Sequence, residues 1–482
     1  MAASDLTQSL LDKGDAPAVP HARHAWPSIA RQQIKLAIPN SARGMMFLAN
    51  EVTNIVILAR TTSDPAVISA VGLGNMMQNV LAVSIAMGLV GASDTLVSQA
   101  YGAGEHQECA YVLQRSRVIV SLLFLIVAPL LYNSESILLA IGQHPGIAYH
   151  AGLYNRAAVW GVLSMCHSGC YNRFLSNRSN VNAQMVITVA TTFIHPLWAM
   201  LFILHHDLGN AGAGYANTVT WTTQLVLVLG FVWWMFPQDG VSRWSVLGFS
   251  KHCLQEWGIY FSLGIPAMMA TCGEWWFWEL AALVVGYLGP VPLAAHVAVL
   301  NLIDVVWMIP AGLGNAAATL VGQAVGRQDQ EEVTRHIKAG LAGTALVAAV
   351  TSATVFTFRA PLSHIYTQDP ATRELMCELL VIYCTLVFVA DNSQSCLSSA
   401  LRGLGRQKIS TVVYLGTYYG VMMPVGCLLA WPGGLGVRGV FFGMAIGSWL
   451  ALGVFAVALA RLDVGGVIAE ARARLKKEEA MA

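Results

Sequence analysis

The sequence predicts an all-α integral membrane protein of twelve transmembrane helices in two six-helix bundles, and three observations carry that prediction. The 482 residues are 56% hydrophobic and only 11% charged, with a mean hydropathy of +0.57, whereas soluble domains are roughly 25% charged. Crossing the hydrocarbon core takes about 20 apolar residues of helix, and twelve such stretches stand in the chain. A long motif also recurs. "GLVGASDTLVSQAYG" (88–102) and "GLGNAAATLVGQAVG" (312–326) share nine of fifteen positions at an offset of 224.

The spans fall at 34–59, 66–98, 117–133, 150–172, 182–204, 211–236, 257–287, 291–324, 339–358, 375–400, 409–430 and 437–460. Pro39, Pro196, Pro266, Pro310 and Pro424 interrupt five of them, each removing a backbone donor and permitting a bend, static or moving. Lys and Arg set the orientation, because short cytosolic loops retain them. With the N-terminus inside, the inner segments hold 21; the outer loops hold Arg60, Arg156, Arg359, Arg373 and Arg438; Arg43 lies within the first span. Both termini are therefore expected in the cytosol.

The expected division is a disordered cytosolic tail (1–33), a six-helix lobe (34–236), a cytosolic linker (237–256), a second lobe (257–461) and a charged cytosolic tail (462–482). "LAIP" (36–39) and "LGIP" (263–266) extend the repeat to the first and seventh spans. Six spans per copy is an even number, so the copies insert the same way round, as parallel repeats about an axis along the membrane normal. In the first tail, "DLTQSLLDKGD" (5–15) has the pattern of a leucine-based sorting signal, with a frayed terminus as the blander reading. "EARARLKKEE" (470–479) reads as a charged helix near headgroups or a solvated face.

Carboxylates inside the spans point to function, since an ionised one at the bilayer centre costs about 2.5–3.5 kcal/mol even on lenient scales. At about 1.5 Å per residue, Glu274 in "CGEWWFWEL" (272–280), Asp304 in the eighth span and Asp391 in the tenth all fall roughly 20 Å from the outer surface. All three sit in the second half, and the repeat partner of Glu274 is Phe47. Glu279 is about 140° around the helix from Glu274 and about 7.5 Å further out, so the two cannot share one direction. A buried carboxylate favours its protonated form and a nearby cation favours the ionised one; a proton and a cationic substrate would then compete for the same acid. The alternative is that these acids merely bond neighbouring helices.

Trp275 and Trp278 could offer a cation-π face, with core or lipid packing favoured for each. Tyr414 and Tyr418, four apart, could turn hydroxyls into the same cavity or bond another helix. Glu51 and Arg43 are expected to satisfy neighbouring groups at a helix interface, and Asp94 to be solvated. For His195 and His296 a satisfied core hydrogen bond is favoured over a proton relay.

Two halves of six spans, the QAYG and QAVG turns, "EWWFWE" in the seventh span and "LRGLGRQK" (401–408) after the tenth together resemble the multidrug and toxic compound extrusion (MATE) family, over about residues 34–460 and closest to its eukaryotic branch. The resemblance implies a polyspecific exporter that exchanges protons for organic, often cationic, compounds. It implies that Glu274 and Glu279 are the two acids of the seventh-helix motif and Asp391 the acid of the tenth. Asn301 stands where some animal members carry a third Glu, and Asn54 where many bacterial members carry an Asp.

Other classes fit less well. A lipid-linked oligosaccharide flippase would want several intramembrane basic residues to hold its anionic headgroup, and here only Arg43 qualifies. A membrane enzyme would need a nucleophile elbow, metal cluster or phosphate loop, and none is written here. No metal-ligand spacing such as CxxC or HExxH occurs, and none of the nine cysteines lies in an outer loop. The expected partners are organic small molecules, protons and the bilayer of a plasma or vacuolar membrane. Neither a cofactor nor a nucleic acid is implied, and one chain carries both halves, so a monomer suffices. Sodium in place of protons stays open, since the deep acids and Asn301 offer oxygen ligands.

Overall fold

The computed structural model describes residues 26–62 and 64–479, and among these every long element is a helix. Twelve are of membrane length: α1 (Trp26–Leu58), α2 (Ala66–Ala103), α3 (His106–Tyr132), α4 (Pro145–Asn177), α5 (Asn182–His205), α6 (Gly209–Met235), α7 (Trp257–Gly286), α8 (Pro290–Gly326), α9 (Gln330–Thr357), α10 (370–403), α11 (Gln407–Ala430) and α12 (Val437–Ala460). A further helix, α13 (Val464–Glu479), follows.

Local chemistry sets the boundaries. Side chains of Asp64, His144, Asp329 and Asp369 accept amide hydrogen bonds at the starts of α2, α4, α9 and α10, and a proline opens three of these four helices. Bonds from the Thr372 hydroxyl and amide hold the Asp369 carboxyl below its ordinary range. Helices α1, α3 and α9 begin eight to eleven residues earlier than the hydropathy reading, which started them at 34, 117 and 339. Charged first turns, such as Gln330 to Arg335 in α9, lie outside an apolar window yet continue the backbone ladder. Residues 26–33 of the expected disordered tail thus belong to α1, while the leucine-pair stretch lies outside the described residues.

Two large hydrophobic cores form, with three smaller clusters beside them. One is built on α2, α3, α4 and α6 around Phe124, Phe174 and Trp221 and takes in Tyr260 and Leu263 at the start of α7, the other on α7 to α12 around Phe388, Phe441 and Phe455. They meet where α1 crosses α8 and α2 crosses α7, the two equivalent contacts of a pseudo-two-fold pair. Small residues permit the approach: a Cβ on Gly44 would stand 2.7 Å from Met308 Sδ, and one on Gly88 would strike the Met268 backbone. Between the bundles, 243–254 is tied to α3. Arg117 donates to the carbonyls of Val246, Leu247 and Gly248 (2.9–3.2 Å), and Gln114 to that of Ser245 (2.6 Å).

The two copies of the repeat face each other at one end of the bundles, called here the turn end. Gln99 Nε2 of α2 donates to the Gly403 carbonyl (2.9 Å), and Gln323 Nε2 of α8 to the Asn177 carbonyl (2.8 Å). A side chain on Gly102 would collide with the Gln323 carbonyl, and one on Gly326 with that of Gln99. This clasp shuts the turn end. Asp94 completes it, against the expectation of solvation. It is buried at 8% exposure, bound to Arg173 of α4, with Asn177 Nδ2 at 3.2 Å and Arg402 of α10 at 3.6 Å. Its repeat partner is Ala318, so the ionic part of the clasp is asymmetric.

Candidate functional site

Within the second bundle, Asp391 sits in the first α-helical turn after a π-helical stretch at 383–387. Such a turn rotates the following residues and recurs at functional sites. The carboxylate is 3% exposed and accepts from Trp307 Nε1 of α8 (3.0 Å) and Gln394 Nε2 (2.9 Å). Gln394 also donates to the Tyr418 hydroxyl (2.8 Å), and Tyr418 lies in a second π-helical stretch, 415–422 of α11. Every hydrogen-bond donor here is neutral. Glu274 of α7, half-buried and without a hydrogen bond among the described residues, lies within electrostatic reach of both Asp391 and Arg402. Gly273 beside it passes close to Leu415, and its carbonyl accepts from Tyr419 (2.9 Å).

The three deep acids therefore do not form one group. Asp304 is exposed and is in electrostatic reach of Glu279, and both reach Glu51 of α1, across the space between the bundles. Asn301, one turn from Asp304, is exposed on the same face of α8. The division follows from helix geometry: Glu274 and Glu279 point apart around α7, one into the second bundle and one towards the cleft. Glu51 does not pair with Arg43, whose electrostatic neighbours are Arg173 and Asp94 at the turn end. Among the described residues, no three His, Cys, Asp or Glu side chains converge to hold a metal ion.

The aromatic residues divide similarly. Trp275 is 38% exposed, and Trp278 packs partly buried against the second core. Phe277 is 1% exposed and sits 4.9 Å from the Tyr418 ring. Trp276, for which core or lipid packing was expected, donates to Ser84 Oγ of α2 across the bundle interface (3.3 Å). Tyr414 and Tyr418 are both buried, at 3% and 0%, their rings 5.2 Å apart. Tyr418 serves the Asp391 network; Tyr414 packs against Phe455.

In the first bundle a neutral network takes the corresponding interior. His195 bonds Thr220 Oγ1 through Nδ1 (2.8 Å) and Asn54 Oδ1 through Nε2 (3.0 Å). Asn54 donates to Asn217 (2.8 Å), Asn217 to the Tyr154 hydroxyl (2.7 Å), and Tyr154 to Asn75 (2.5 Å). His195 is thus the satisfied core histidine expected of it. His296 is not: buried edge-on to Phe441, it has no hydrogen-bond partner on either ring nitrogen among the described residues, because α8 presents it to an apolar core.

Two crossed six-helix bundles, each with a polar interior at membrane depth, define a multi-pass integral membrane protein. The family model described as MatE matches residues 44–201 and 266–428, and the chain belongs to that family. Multidrug and toxin extrusion protein 2 of Oryctolagus cuniculus is 31% identical over 399 residues, 82% of this chain and 65% of that protein. Multidrug and toxin extrusion protein 1 of Homo sapiens is 31% identical over 380 residues, 79% and 66%. The chain thus spans about two thirds of the length of these relatives. The eukaryotic MATE transporter AtDTX14 superposes with a TM-score of 0.86 at 22% identity, covering 93% of this chain and 99% of that one. An outward-facing multidrug resistance MATE family transporter of the MOP superfamily does so at 0.79 and 16%, covering 91% and 96%. These likenesses establish the fold, with its twelve helices in two bundles.

Proposed function

We propose that the protein is a proton-coupled antiporter that exports structurally diverse, often cationic organic compounds by alternating access. The observation that carries this reading is Asp391: a carboxylate at 3% exposure whose hydrogen-bond donors are all neutral, with a second carboxylate, Glu274, in electrostatic reach. Such a group is stable protonated, or ionised with a cation beside it. The relatives' printed names, which are of multidrug and toxin extrusion proteins, point the same way.

The charge asymmetry supports a cytosolic turn end, which carries Arg402, Arg406 and Arg327. In this reading the shut clasp corresponds to the outward-facing state. Facing out, Glu274 and Asp391 take up protons and a bound cation loses its counter-charge. When the clasp opens and the opposite end closes, they release protons and attract the next substrate. Glu279, Asp304 and Asn301, with Glu51, line the approach between the bundles, where their negative potential concentrates cations; Trp275, one helical turn from Glu279, adds an exposed aromatic face. In this reading the lobes 34–236 and 257–461 rock about the linker 237–256, in one chain acting alone in a plasma or vacuolar membrane.

The test is efflux of a fluorescent organic cation from proteoliposomes under an imposed pH gradient, with Glu274→Gln and Asp391→Asn beside the wild type. Transport that follows the gradient and is lost in both variants is the expected result. Transport driven only by a sodium gradient, or unchanged in both variants, overturns it.

A further inference from the structure

Helix α13 is joined to α12 by three residues, so its N-terminal end travels with the second bundle. Val467 and Ala471, at 3% and 4% exposure, are part of that bundle's core, and Glu470 accepts from Arg406 Nη2 (2.9 Å). One turn further on, the same helix reaches the first bundle. Arg474 Nη2 donates to Gln99 Oε1 of α2, and Leu475 packs against the core that the first bundle shares with the start of α7.

Positions 467, 471, 474 and 475 follow helical spacing, so one face of a single short helix touches both bundles. Arg472 and Lys476 are on the exposed face. Gln99 is thereby held at both ends of its amide, by the Gly403 carbonyl of α10 and by Arg474 of α13. The turn end cannot open while these contacts persist, because parting α2 from α8 and α10 pulls Gln99 and the first core away from α13.

We infer that α13 is a strap that holds the turn end closed, and that each opening of that end requires Arg474 to leave Gln99 and Leu475 to leave the first core. Anything that draws α13 off the seam would bias the protein towards the turn-end-open state, which makes this helix a control point separate from the acids. The inference rests on the alternating-access reading above.

Hydrogen exchange on the full chain in lipid nanodiscs tests it. In Arg474→Ala with Leu475→Ala, amides of 94–103 and 401–407 should exchange about three- to tenfold faster than in the wild type, since the closed seam loses contacts that oppose its opening. Arg472→Ala with Lys476→Ala, on the exposed face, should leave these rates unchanged, and Arg474→Lys should largely restore them. Faster exchange confined to 464–476, with seam amides as slow as in the wild type, overturns the strap. Each single substitution, Arg474→Ala or Leu475→Ala, gives the same readout should the double variant fold poorly. Seam amides that never exchange in any form, with or without an imposed pH change, would count against alternating access itself.

Discussion

The interiors of the two bundles differ in charge although one duplication produced both. In the first, Asn54, Asn217, Tyr154, Asn75, Thr220 and His195 form a run of hydrogen bonds between neutral groups. In the second, Asp391 is surrounded by Trp307, Gln394 and, through Gln394, Tyr418, with Glu274 nearby and without a hydrogen bond among the described residues. A saturated network of dipoles in a low-dielectric interior is rigid and costly to disturb. A carboxylate held by neutral donors keeps two accessible protonation states. The comparison teaches that two bundles of like helix order can hold different polar interiors, a run of neutral groups around Asn54 in one and carboxylates around Asp391 in the other.

The sharpest way to break this contrast is to remove the charge from the second bundle. Asp391→Asn, which preserves shape, should reduce gradient-driven efflux to background in proteoliposomes while the protein still folds. The reverse transplant, Asn54→Asp, would put an unpaired carboxylate into the neutral network. It should destabilise the protein by about 3–5 kcal/mol, read as a lowered melting temperature in detergent. His195→Ala leaves Thr220 and Asn54 without their common partner. We expect about 1–3 kcal/mol of destabilisation, with efflux per folded molecule nearly unchanged, which separates scaffold from chemistry. Trp307→Phe removes one of the bonds to Asp391 and should slow efflux several-fold at wild-type stability, measured as initial rate against substrate concentration. The smallest effect should be that of Tyr414→Phe, within about twofold, because its ring packs against Phe455 and Tyr418 supplies the hydroxyl to the network.

Much of this was legible in the sequence. The twelve spans, the duplication and the acids of the second half follow from hydropathy, self-similarity and the cost of burying charge. Helix starts at α1, α3 and α9 were missed because polar turns beyond the hydrocarbon zone keep helical hydrogen bonds without any hydropathy signal. The grouping of the acids was only half visible. Depth along a helix is a matter of counting, whereas the split between Glu274 with Asp391 and Glu279 with Asp304 and Glu51 depends on helix rotation and on which bundle each face meets. Gln394, three residues from Asp391, was within reach of spacing arguments; Trp307 and Trp276 were not, since their partners lie on other helices. Asp94 was misjudged because its partners, Arg173 and Arg402, are distant in sequence and are brought to it only by the packing of α4 and α10.

The reciprocal contact at the turn end has a historical consequence. Gly102 meets the carbonyl of Gln323 just as Gly326 meets that of Gln99, and each glutamine bonds a backbone carbonyl of the opposite half. That is the arrangement of an isologous interface, in which one surface is complementary to itself. A half-length ancestor could have closed the same contact against a second copy of itself. In this chain Asp94 is matched by Ala318 in the repeat, so the ion pair occurs once, where a symmetric homodimer would carry it twice.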